Sequence, residues 1–244
     1  MVEWPLQGKT ILVTGAARRV GRILVLACAR AGADVIIHHG HSAQLALEVQ
    51  REVASFGRQS WIIASDLTIA DEASRLVSQA NGFRTLYGLV NSAAIFEPLS
   101  LQQTTRTDWE RHLAINLTAP FLLSQAFAKQ VPDHGEGRIV NILDWRALRP
   151  GADHFPYAVS KAALASMTGS LAVALAPRII VNGLALGAVL PPANGSADID
   201  MIKNTPAQRW SEAKEIEEAL IFLLAGPSYM TGEILHVDGG RHLI

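Results

Sequence analysis

Short apolar runs recur along the chain and alternate with longer segments of helical composition. The runs lack the alternation of polar and apolar residues that is typical of a strand with one exposed face. Strands buried on both faces are characteristic of parallel sheets that carry helices on each side. We therefore predict an α/β fold, a doubly wound parallel sheet of about seven strands with helices on both faces. The predicted strands are Ile11–Thr14, Val35–His38, Trp61–Ala64, Leu86–Asn91, Arg138–Leu143, Ile179–Asn182 and Ile234–Val237.

The segments between these runs are rich in Ala, Leu, Glu and Gln, which favour helix. No repeat, low-complexity tract or flexible linker divides the chain, so we expect residues 1–244 to form a single domain. Residues 187–210 break the pattern with three prolines, and we expect them to form a loop that closes over a substrate. The predicted helices are Val20–Ala31, Ala43–Phe56, Ala70–Ala80, Thr107–Gln130, Pro156–Leu175 and Ser211–Ala225.

Composition and charge exclude several classes of partner. The chain has 21 Lys and Arg against 22 Asp and Glu, so it lacks the excess of cationic charge that nucleic-acid binding needs. Apolar runs such as Ile23–Ala29 are far shorter than the roughly 20 residues that cross a bilayer. The N-terminus lacks a secretory signal, and the single Cys28 suits a reducing compartment. We expect a cytoplasmic protein that acts on a small molecule, without a nucleic-acid, membrane or metal partner.

A glycine-containing loop joins the first predicted strand to the first predicted helix. Gly15 and Gly21 permit a tight turn and a close approach of the backbone to a ligand, and a helix N-terminus offers free N–H groups to a pyrophosphate. An ordinary strand-to-helix turn is the alternative. Because the pair stands at the first strand–helix junction, we predict a dinucleotide-binding site.

The residues after the second strand indicate which dinucleotide binds. An acidic residue there would bind the ribose diol of NAD, but the chain has His38-His39-Gly40-His41-Ser42. Arg18 and Arg19 supply positive charge in the glycine loop, and arginine suits phosphate recognition. Ser42 either donates to a phosphate or only caps the next helix, and the histidines either line the site or form a solvated turn. The missing acid and the added arginines favour NADPH over NADH.

Tyr157 and Lys161 lie four residues apart near the start of a predicted helix, so they share one face of it. An ammonium group beside a phenol stabilises the phenolate, and we expect Lys161 to lower the pKa of Tyr157 from its reference value of about 10. Tyr157 would then donate a proton near neutral pH. The pair indicates proton transfer next to a bound dinucleotide.

With these motifs in place, the sequence resembles the short-chain dehydrogenase/reductase family over essentially its whole length. The resemblance implies a Rossmann-like fold, an NAD(P)-dependent oxidoreductase activity and a homotetramer formed through the Thr107–Gln130 and Pro156–Leu175 helices. The matching motifs are Thr14-Gly15…Gly21, Asp66-Leu67, Asn91-Ser92-Ala93-Ala94, Asn116, Tyr157…Lys161 and Asp238-Gly239-Gly240.

The resemblance also implies roles for individual residues. Asp66 would contact the adenine, Asn91 would hold the fourth strand beside the cofactor, and Asn116 would orient Lys161 through water in a proton relay. The implied catalytic residues are Asp144, Tyr157, Lys161 and Asn116. The implied cofactor-binding residues are Gly15, Arg18, Arg19, Val20, Gly21, His41, Ser42, Asp66, Leu67, Asn91, Ala93, Tyr157, Lys161, Gly187 and Val189.

Departures from the family pattern point to one branch of it. Asp144 stands where the family usually has Ser, Arg19 where it usually has Gly, and Leu186 where it usually has Pro. The first two departures are similar to pteridine reductases, including bacterial dihydromonapterin reductases. Phe96 falls where those enzymes stack a pterin ring against the nicotinamide, although a core or lid aromatic is the alternative. The substrate-binding residues implied are Phe96, Asp144 and Tyr157.

The negative charge of a carboxylate at Asp144 also bears on the type of reaction that the site can catalyse. Carbonyl reduction develops negative charge on oxygen, and a carboxylate ~4 Å away would oppose it by about 4 kcal/mol at an effective dielectric constant near 20. Asp144 must therefore either be protonated or serve a different reaction. Reduction of a C=N bond suits a carboxylate better, because the nitrogen acquires cationic character. We therefore predict an NADPH-dependent reductase of pterin-type C=N bonds. The alternatives are that Asp144 only caps its loop in a carbonyl reductase, such as one acting on a 3-oxoacyl thioester, or that the protein is a non-catalytic dinucleotide sensor.

Two further residues near this site are harder to place. Trp145 either lines the pocket or covers the sheet, and the sequence does not distinguish these positions. His154 precedes the helix that carries Tyr157. It either faces the opening of the substrate site or lies in a solvated loop, and we expect the solvated loop.

Overall fold

Seven strands form one sheet in the structure, a computed structural model that describes residues 4–149, 151–190 and 202–244. The strands are β1 (Thr10–Val13), β2 (Asp34–His39), β3 (Ser60–Ala64), β4 (Gly88–Asn91), β5 (Gly137–Asp144), β6 (Ile179–Leu186) and β7 (Ile234–Val237). All neighbouring strands are parallel, in the order β3-β2-β1-β4-β5-β6-β7. The prediction of a doubly wound parallel sheet is confirmed. Because the strand order reverses between β1 and β4, a crevice opens at their carboxyl ends.

Helices cover both faces of this sheet. They are α1 (Arg19–Arg30), α2 (Ala43–Ser55), α3 (Ala70–Phe83), α4 (Arg106–Leu113), α5 (Ala119–Gln130), α6 (Phe155–Leu175) and α7 (Ala213–Ala225). One core packs α1, α2 and α7 against the sheet, and a second core packs α3, α5 and part of α6 against the opposite face. In β1, Ile11 and Val13 enter the first core and Leu12 enters the second, so the strand is buried on both sides. This burial explains why the strands read as continuous apolar runs.

Several predicted boundaries were wrong. The predicted helix Thr107–Gln130 is two helices joined by a π-helical turn at Ala114–Thr118. The strand predicted as Ile179–Asn182 continues to Leu186, because its second half pairs with both β5 and β7. Ser211 lies before α7, whose first turn is capped instead by a reciprocal pair of glutamates, Glu212 and Glu215.

The helix α6 needs separate comment because it is long and apolar enough, by length and composition, to span a bilayer. It is the only helix of this kind among the described residues. The sequence analysis considered shorter runs and overlooked it. Buried core helices of soluble proteins meet the same criterion, and α6 has Tyr157, Ser160, Lys161 and Thr168 buried against the rest of the chain.

The loop predicted at residues 187–210 is described only at its two ends, since residues 191–201 lie outside the described ranges. At its start the backbone N–H of Gly187 donates to the carbonyl of Val237 at 3.0 Å. A side chain at Gly187 would collide with the Asp238 Cα at 2.6 Å, so this position requires glycine. The nearby Val189 is buried. Near its other end the N–H of Ala207 donates to the carbonyl of Gly239, just after β7, at 3.0 Å, so both described ends of the loop are anchored beside β7.

Candidate active site

The loop between β1 and α1 lies directly against the end of β4. Gly15 has a φ of +63°, and a Cβ there would lie 2.8 Å from the Cα of Ala93. A Cβ on Gly21 would lie 2.1 Å from the carbonyl oxygen of Gly15. The Thr14 hydroxyl accepts hydrogen bonds from the N–H groups of Ser92 and Ala93 at 2.9 and 3.0 Å. These contacts hold the glycine loop and the β4 end together as one surface.

His38 supports this loop from below, a role that the sequence analysis missed. Its Nδ1 accepts from the N–H of Gly15 at 3.1 Å, and its Nε2 lies 3.1 Å from the carbonyl oxygen of Ser65. Because a carbonyl can only accept, Nε2 carries the proton and the ring is neutral in this arrangement. Burial lowers the pKa of His38 to about 4. The alternative that these histidines form a solvated turn is wrong for His38 and His39, which are both buried.

The region after β2 offers polar groups without internal partners. The Nδ1 of His39 is buried and makes no hydrogen bond within the described structure. Ser42 occupies the N-cap position of α2, but its side chain makes no capping hydrogen bond, so the alternative that it only caps is wrong. Arg18 and His41 are exposed at the same edge of the sheet. Arg19 begins α1 with a φ of +51°, a conformation that glycine adopts more easily.

The next predicted cofactor residues follow β3. The Asp66 carboxylate accepts from the N–H and the hydroxyl of Thr68 at 2.9 and 2.8 Å, and these hydrogen bonds lower its pKa. Leu67 is buried in the second core, and Val20 is partly buried against the first. Asp66 therefore forms a turn at the carboxyl edge of the sheet, where the sequence analysis expects the adenine.

Three of the four predicted catalytic side chains, those of Asp144, Tyr157 and Lys161, meet at the end of β5. The Tyr157 hydroxyl donates to the Asp144 Oδ2 at 3.0 Å. The Lys161 Nζ donates to the carbonyl of Ile142 at 2.7 Å and lies 5.9 Å from the centroid of the Tyr157 ring. Tyr157 and Lys161 are both buried. The spacing of four residues on α6 thus places both groups beside Asp144, as their sequence positions predict.

The prediction that Lys161 lowers the pKa of Tyr157 was wrong. Burial raises the pKa of Tyr157 well above its usual value, and the charge and hydrogen bond of Asp144 raise it further. The same burial lowers the pKa of Lys161 to about 8, with Asp144 acting in the opposite direction. A carboxylate 3.0 Å from the hydroxyl opposes the formation of phenolate more strongly than the more distant ammonium favours it.

Asp144 is held by its own loop. Its Oδ1 accepts from the N–H of Arg146 at 2.9 Å, which caps the short 3₁₀ turn Trp145–Ala147. The capping alternative is therefore correct for one carboxylate oxygen, while the other oxygen faces Tyr157. The Arg146 guanidinium lies 3.7 Å from Asp144 and 3.0 Å from Asp153. Sequence reasoning missed Arg146, because no motif marks it.

Trp145 contacts two cationic groups. The guanidinium of Arg146 lies 4.6 Å from its ring centroid and that of Arg241 lies 5.1 Å away. Arg241 belongs to the C-terminal turn, where the Asp238 carboxylate bonds both the N–H and the Nδ1 of His242. Trp145 therefore links the C-terminal segment to the loop that carries Asp144.

Two asparagines connect the site to the sheet. The Asn116 side chain, in the π-helical turn, binds the N–H and carbonyl of Ile95 at 2.9 and 3.1 Å and donates to the Ser160 hydroxyl at 3.0 Å. Ser160 directly precedes Lys161, so Asn116 fixes the α6 backbone beside that lysine. Asn91 donates to Asn141 at 2.8 Å and joins β4 to β5.

Phe96 lies at the opening of the site, with its side chain packed against His154. Their rings are parallel, with centroids 3.9 Å apart and an interplanar angle of 8°, and the ring of Tyr157 meets Phe96 edge-on at 4.7 Å. Phe96 is 51% exposed, which excludes the alternative of a core aromatic. The expectation that His154 is solvated was wrong, since only 16% of its side chain is exposed.

Comparisons with known proteins show which proteins the whole chain is similar to. A family model described as Enoyl-(Acyl carrier protein) reductase matches residues 15–242. The chain is 31% identical to the 3-oxoacyl-[acyl-carrier-protein] reductase FabG of Aquifex aeolicus, covering 98% of this chain and 99% of that protein. It superimposes on FolM Alternative dihydrofolate reductase 1 from Brucella canis, complexed with NADP, with a TM-score of 0.90, 32% identity and coverage of 98% and 96%. A blue fluorescent protein from a metagenomic library, in complex with NADPH, gives a TM-score of 0.90, 34% identity and coverage of 97% and 99%.

The close packing of the glycine loop yields a first prediction. Gly21→Ala places a methyl group against the Gly15 carbonyl, and we expect it to destabilise the fold by about 1–3 kcal/mol and to weaken dinucleotide binding. Thermal unfolding and calorimetry with NADPH measure both effects. Gly82→Ala is the matched control, because a Cβ at Gly82 meets nothing within 4 Å. A Gly21→Ala protein that unfolds and binds like the wild type would contradict this account of the loop.

The neutral state of His38 yields a second prediction. Since burial lowers its pKa from 6.5 to about 4, the unfolded state takes up a proton between these values while the folded state does not. The free energy of unfolding should therefore fall by about 3 kcal/mol, at 1.36 kcal/mol per pH unit, as the pH drops through this window. Denaturant unfolding at pH 7 and pH 4 measures the loss. In His38→Asn the loss should be smaller by about this amount, and an unchanged pH dependence in that variant would refute the assignment.

Proposed function

Because the chain belongs to the short-chain dehydrogenase/reductase family, we propose that it is an NADPH-dependent reductase that transfers a hydride to a pterin-type C=N bond, converting a dihydropterin to a tetrahydropterin. The observation that carries the proposal is the Asp144 carboxylate, which accepts the hydrogen bond of the Tyr157 hydroxyl at 3.0 Å. The likeness to a FolM dihydrofolate reductase at 32% identity supports the same substrate class.

The residues around the glycine loop fit a dinucleotide phosphate. The positions of Gly15 and Gly21 leave no room for a Cβ, and without side chains there a phosphate can approach the backbone closely at the start of α1. Near the end of β2, the exposed Arg18 supplies positive charge, and the buried Nδ1 of His39 makes no hydrogen bond with any residue that the structure describes. No carboxylate stands at the end of β2, where NAD-binding proteins hold the ribose diol. These features favour NADPH, and when bound it supplies the hydride.

The catalytic side chains then control the proton. Tyr157 keeps its proton, because burial and Asp144 raise its pKa, and in the free site that proton points to Asp144. Rotation of the hydroxyl about its C–O bond would turn the same proton to the substrate nitrogen, leaving Asp144 ionised and Tyr157 as the phenolate. Reduction of a C=N bond adds a hydride to carbon and a proton to nitrogen, and the nitrogen becomes cationic as the proton arrives. The Asp144 carboxylate stabilises that positive charge in a buried setting. Lys161, with its pKa lowered to about 8, holds a proton that can replace the one lost by Tyr157.

Asn116 and Phe96 act around this centre. Asn116 fixes the backbone of α6 through Ser160, so that Lys161 stays beside Tyr157. Phe96 provides an aromatic surface at the opening, next to Tyr157, on which a flat ring can stack. Gly187 and Val189 stand at the start of the loop after β6, where Gly187 is bonded to the end of β7, and we propose that they lie on the nicotinamide side of the site.

A second candidate function is the reduction of a ketone such as a 3-oxoacyl thioester. It is favoured by the 31% identity to a 3-oxoacyl-[acyl-carrier-protein] reductase. Against it, a carboxylate ~4 Å from a developing oxyanion raises its free energy by about 4 kcal/mol at an effective dielectric constant near 20. The third alternative, a sensor without activity, leaves the paired Tyr157 and Lys161 without a role, and we do not propose it.

The finer proposals concern assembly and location. We propose a homotetramer formed through α5 and α6, where Phe121 and Val173 are exposed. A cytoplasmic location fits the single buried Cys28.

Substitution of Asp144 tests the proposed reaction. Steady-state rates with dihydrobiopterin, dihydromonapterin and acetoacetyl thioesters define the substrate of the wild type. Asp144→Ser should lower kcat/KM for the pterins at least about tenfold and raise it for the ketone, because the opposing charge near the oxyanion is lost. In the same variant the alkaline limb of the pH–rate profile should move to lower pH, because Asp144 raises the pKa of Tyr157 in the wild type.

Two outcomes would overturn this proposal. One is turnover of the thioester alone by the wild type, and the other is unchanged or increased pterin activity in Asp144→Ser. Asp133→Asn removes a carboxylate whose side chain is 97% exposed and serves as the control for loss of charge.

Calorimetry with NADPH and NADH tests the cofactor. We expect tighter binding of NADPH, and Arg18→Ala should weaken NADPH binding about tenfold while leaving NADH binding near its wild-type value, because only NADPH carries the additional phosphate. Arg75→Ala, which removes an exposed arginine from α3, is the matched control. If Arg18→Ala loses the same affinity for NADPH and NADH, Arg18 does not contact the additional phosphate of NADPH.

A further inference from the structure

The aromatic pair at the opening of the site is held in an unusual way. Phe96 follows β4 in a segment without helix or strand, so no regular element fixes its side chain. One side of its ring stacks on the imidazole of His154 at 3.9 Å, and the ring of Tyr157 meets it edge-on. The Arg146 guanidinium also lies 5.7 Å from the centroid of the Phe96 ring. Even with these contacts, 51% of Phe96 remains exposed. The stack therefore leaves part of the ring open beside the catalytic tyrosine.

His154 is itself restrained by several contacts. Its Nδ1 lies 2.9 Å from the Asp153 carboxylate, which also accepts from the Arg146 guanidinium at 3.0 Å. It occupies the N-cap position of α6 with a φ of +51°, a conformation that few residues other than glycine adopt without cost. Three residues later the same helix carries Tyr157. The imidazole is thus fixed relative to the catalytic hydroxyl, and through the stack it fixes Phe96.

We propose that His154 is a positioning residue for substrate binding, which holds the ring of Phe96 in the orientation that receives a planar heteroaromatic substrate. The inference rests on the proposed function, since it assumes that the substrate ring is flat. A flat ring placed on the open side of Phe96 extends the stack of His154 and Phe96 to three rings. A ketone on a flexible chain makes no such stack and does not depend on the orientation of Phe96.

Substitution of His154 separates this role from a general structural one. His154→Asn tolerates the positive φ and retains a group that can hydrogen-bond to Asp153, but it removes the ring. We expect KM for dihydrobiopterin to rise about threefold to tenfold, the range that an aromatic pair is worth, with a smaller change in kcat. KM for an acetoacetyl thioester should stay within about twofold of the wild type. His154→Phe restores an aromatic ring at some cost in stability, because phenylalanine disfavours the positive φ. Where thermal unfolding shows that this variant is folded, it should recover most of the affinity for dihydrobiopterin.

Binding measurements keep the inference separate from the proposed reaction. Calorimetry with oxidised biopterin on the NADP⁺-loaded protein reports stacking without turnover, and thermal unfolding of each variant reports its stability. Weaker binding in His154→Asn that is recovered in His154→Phe supports the role of His154. If the wild type reduces only ketones, the proposed function is wrong, but this support for the role of His154 remains. Three results would each overturn the proposed role of His154. The first is an equal loss of affinity for planar and non-planar ligands in His154→Asn. The others are a failure of His154→Phe to restore binding and a wild type that binds no planar ring.

Discussion

A carboxylate lies 3.0 Å from the hydroxyl of Tyr157, and this contact sets the charge balance of the whole site. In a buried setting, charges interact strongly because little water screens them. Asp144 therefore raises the pKa of Tyr157 and partly offsets the effect of burial on Lys161. The same carboxylate caps the turn that begins at Trp145, so its position is fixed by the backbone as well as by its partners. The chemistry that we propose follows from this fixed negative charge.

The fold brings these groups together through the ends of its parallel strands. Asp144 ends β5, Asn91 ends β4, and the glycine loop follows β1, so all three stand at the carboxyl edge of the sheet. Buried polar bonds keep this edge in register: Asn91 bonds Asn141, and Asn141 in turn bonds Thr168 on α6 at 2.9 Å. Each of these hydrogen bonds gives a partner to a buried polar side chain, which would destabilise the core if it had none. The sheet thereby positions α6, and α6 positions Tyr157 and Lys161.

Where sequence reasoning failed, a contact across the fold was responsible. The interruption of the predicted helix at Thr107–Gln130 comes from a π-helical turn that aims Asn116 at the backbone of Ile95 and at Ser160, and no local propensity signals this. For His38 the sequence leaves a site residue and a solvated turn both open, whereas the structure shows it supporting the glycine loop by a bond to Gly15, 23 residues earlier in the chain. The pKa of Tyr157 was expected to follow its neighbour on the helix. It follows instead the burial of the phenol, and after that a carboxylate 13 residues away on another element.

The sequence by itself determined the parallel α/β architecture, the glycine loop and the pairing of Tyr157 with Lys161, because these depend on periodicity, turn chemistry and spacing within one helix. It also marked Asp144 as the departure on which the choice of substrate rests. Only the tertiary structure decided how the charges balance, where Trp145 and Arg146 lie, and that His154 stacks on Phe96. Such outcomes depend on burial and on distances between segments remote in the chain, and neither quantity can be obtained from the order of residues alone.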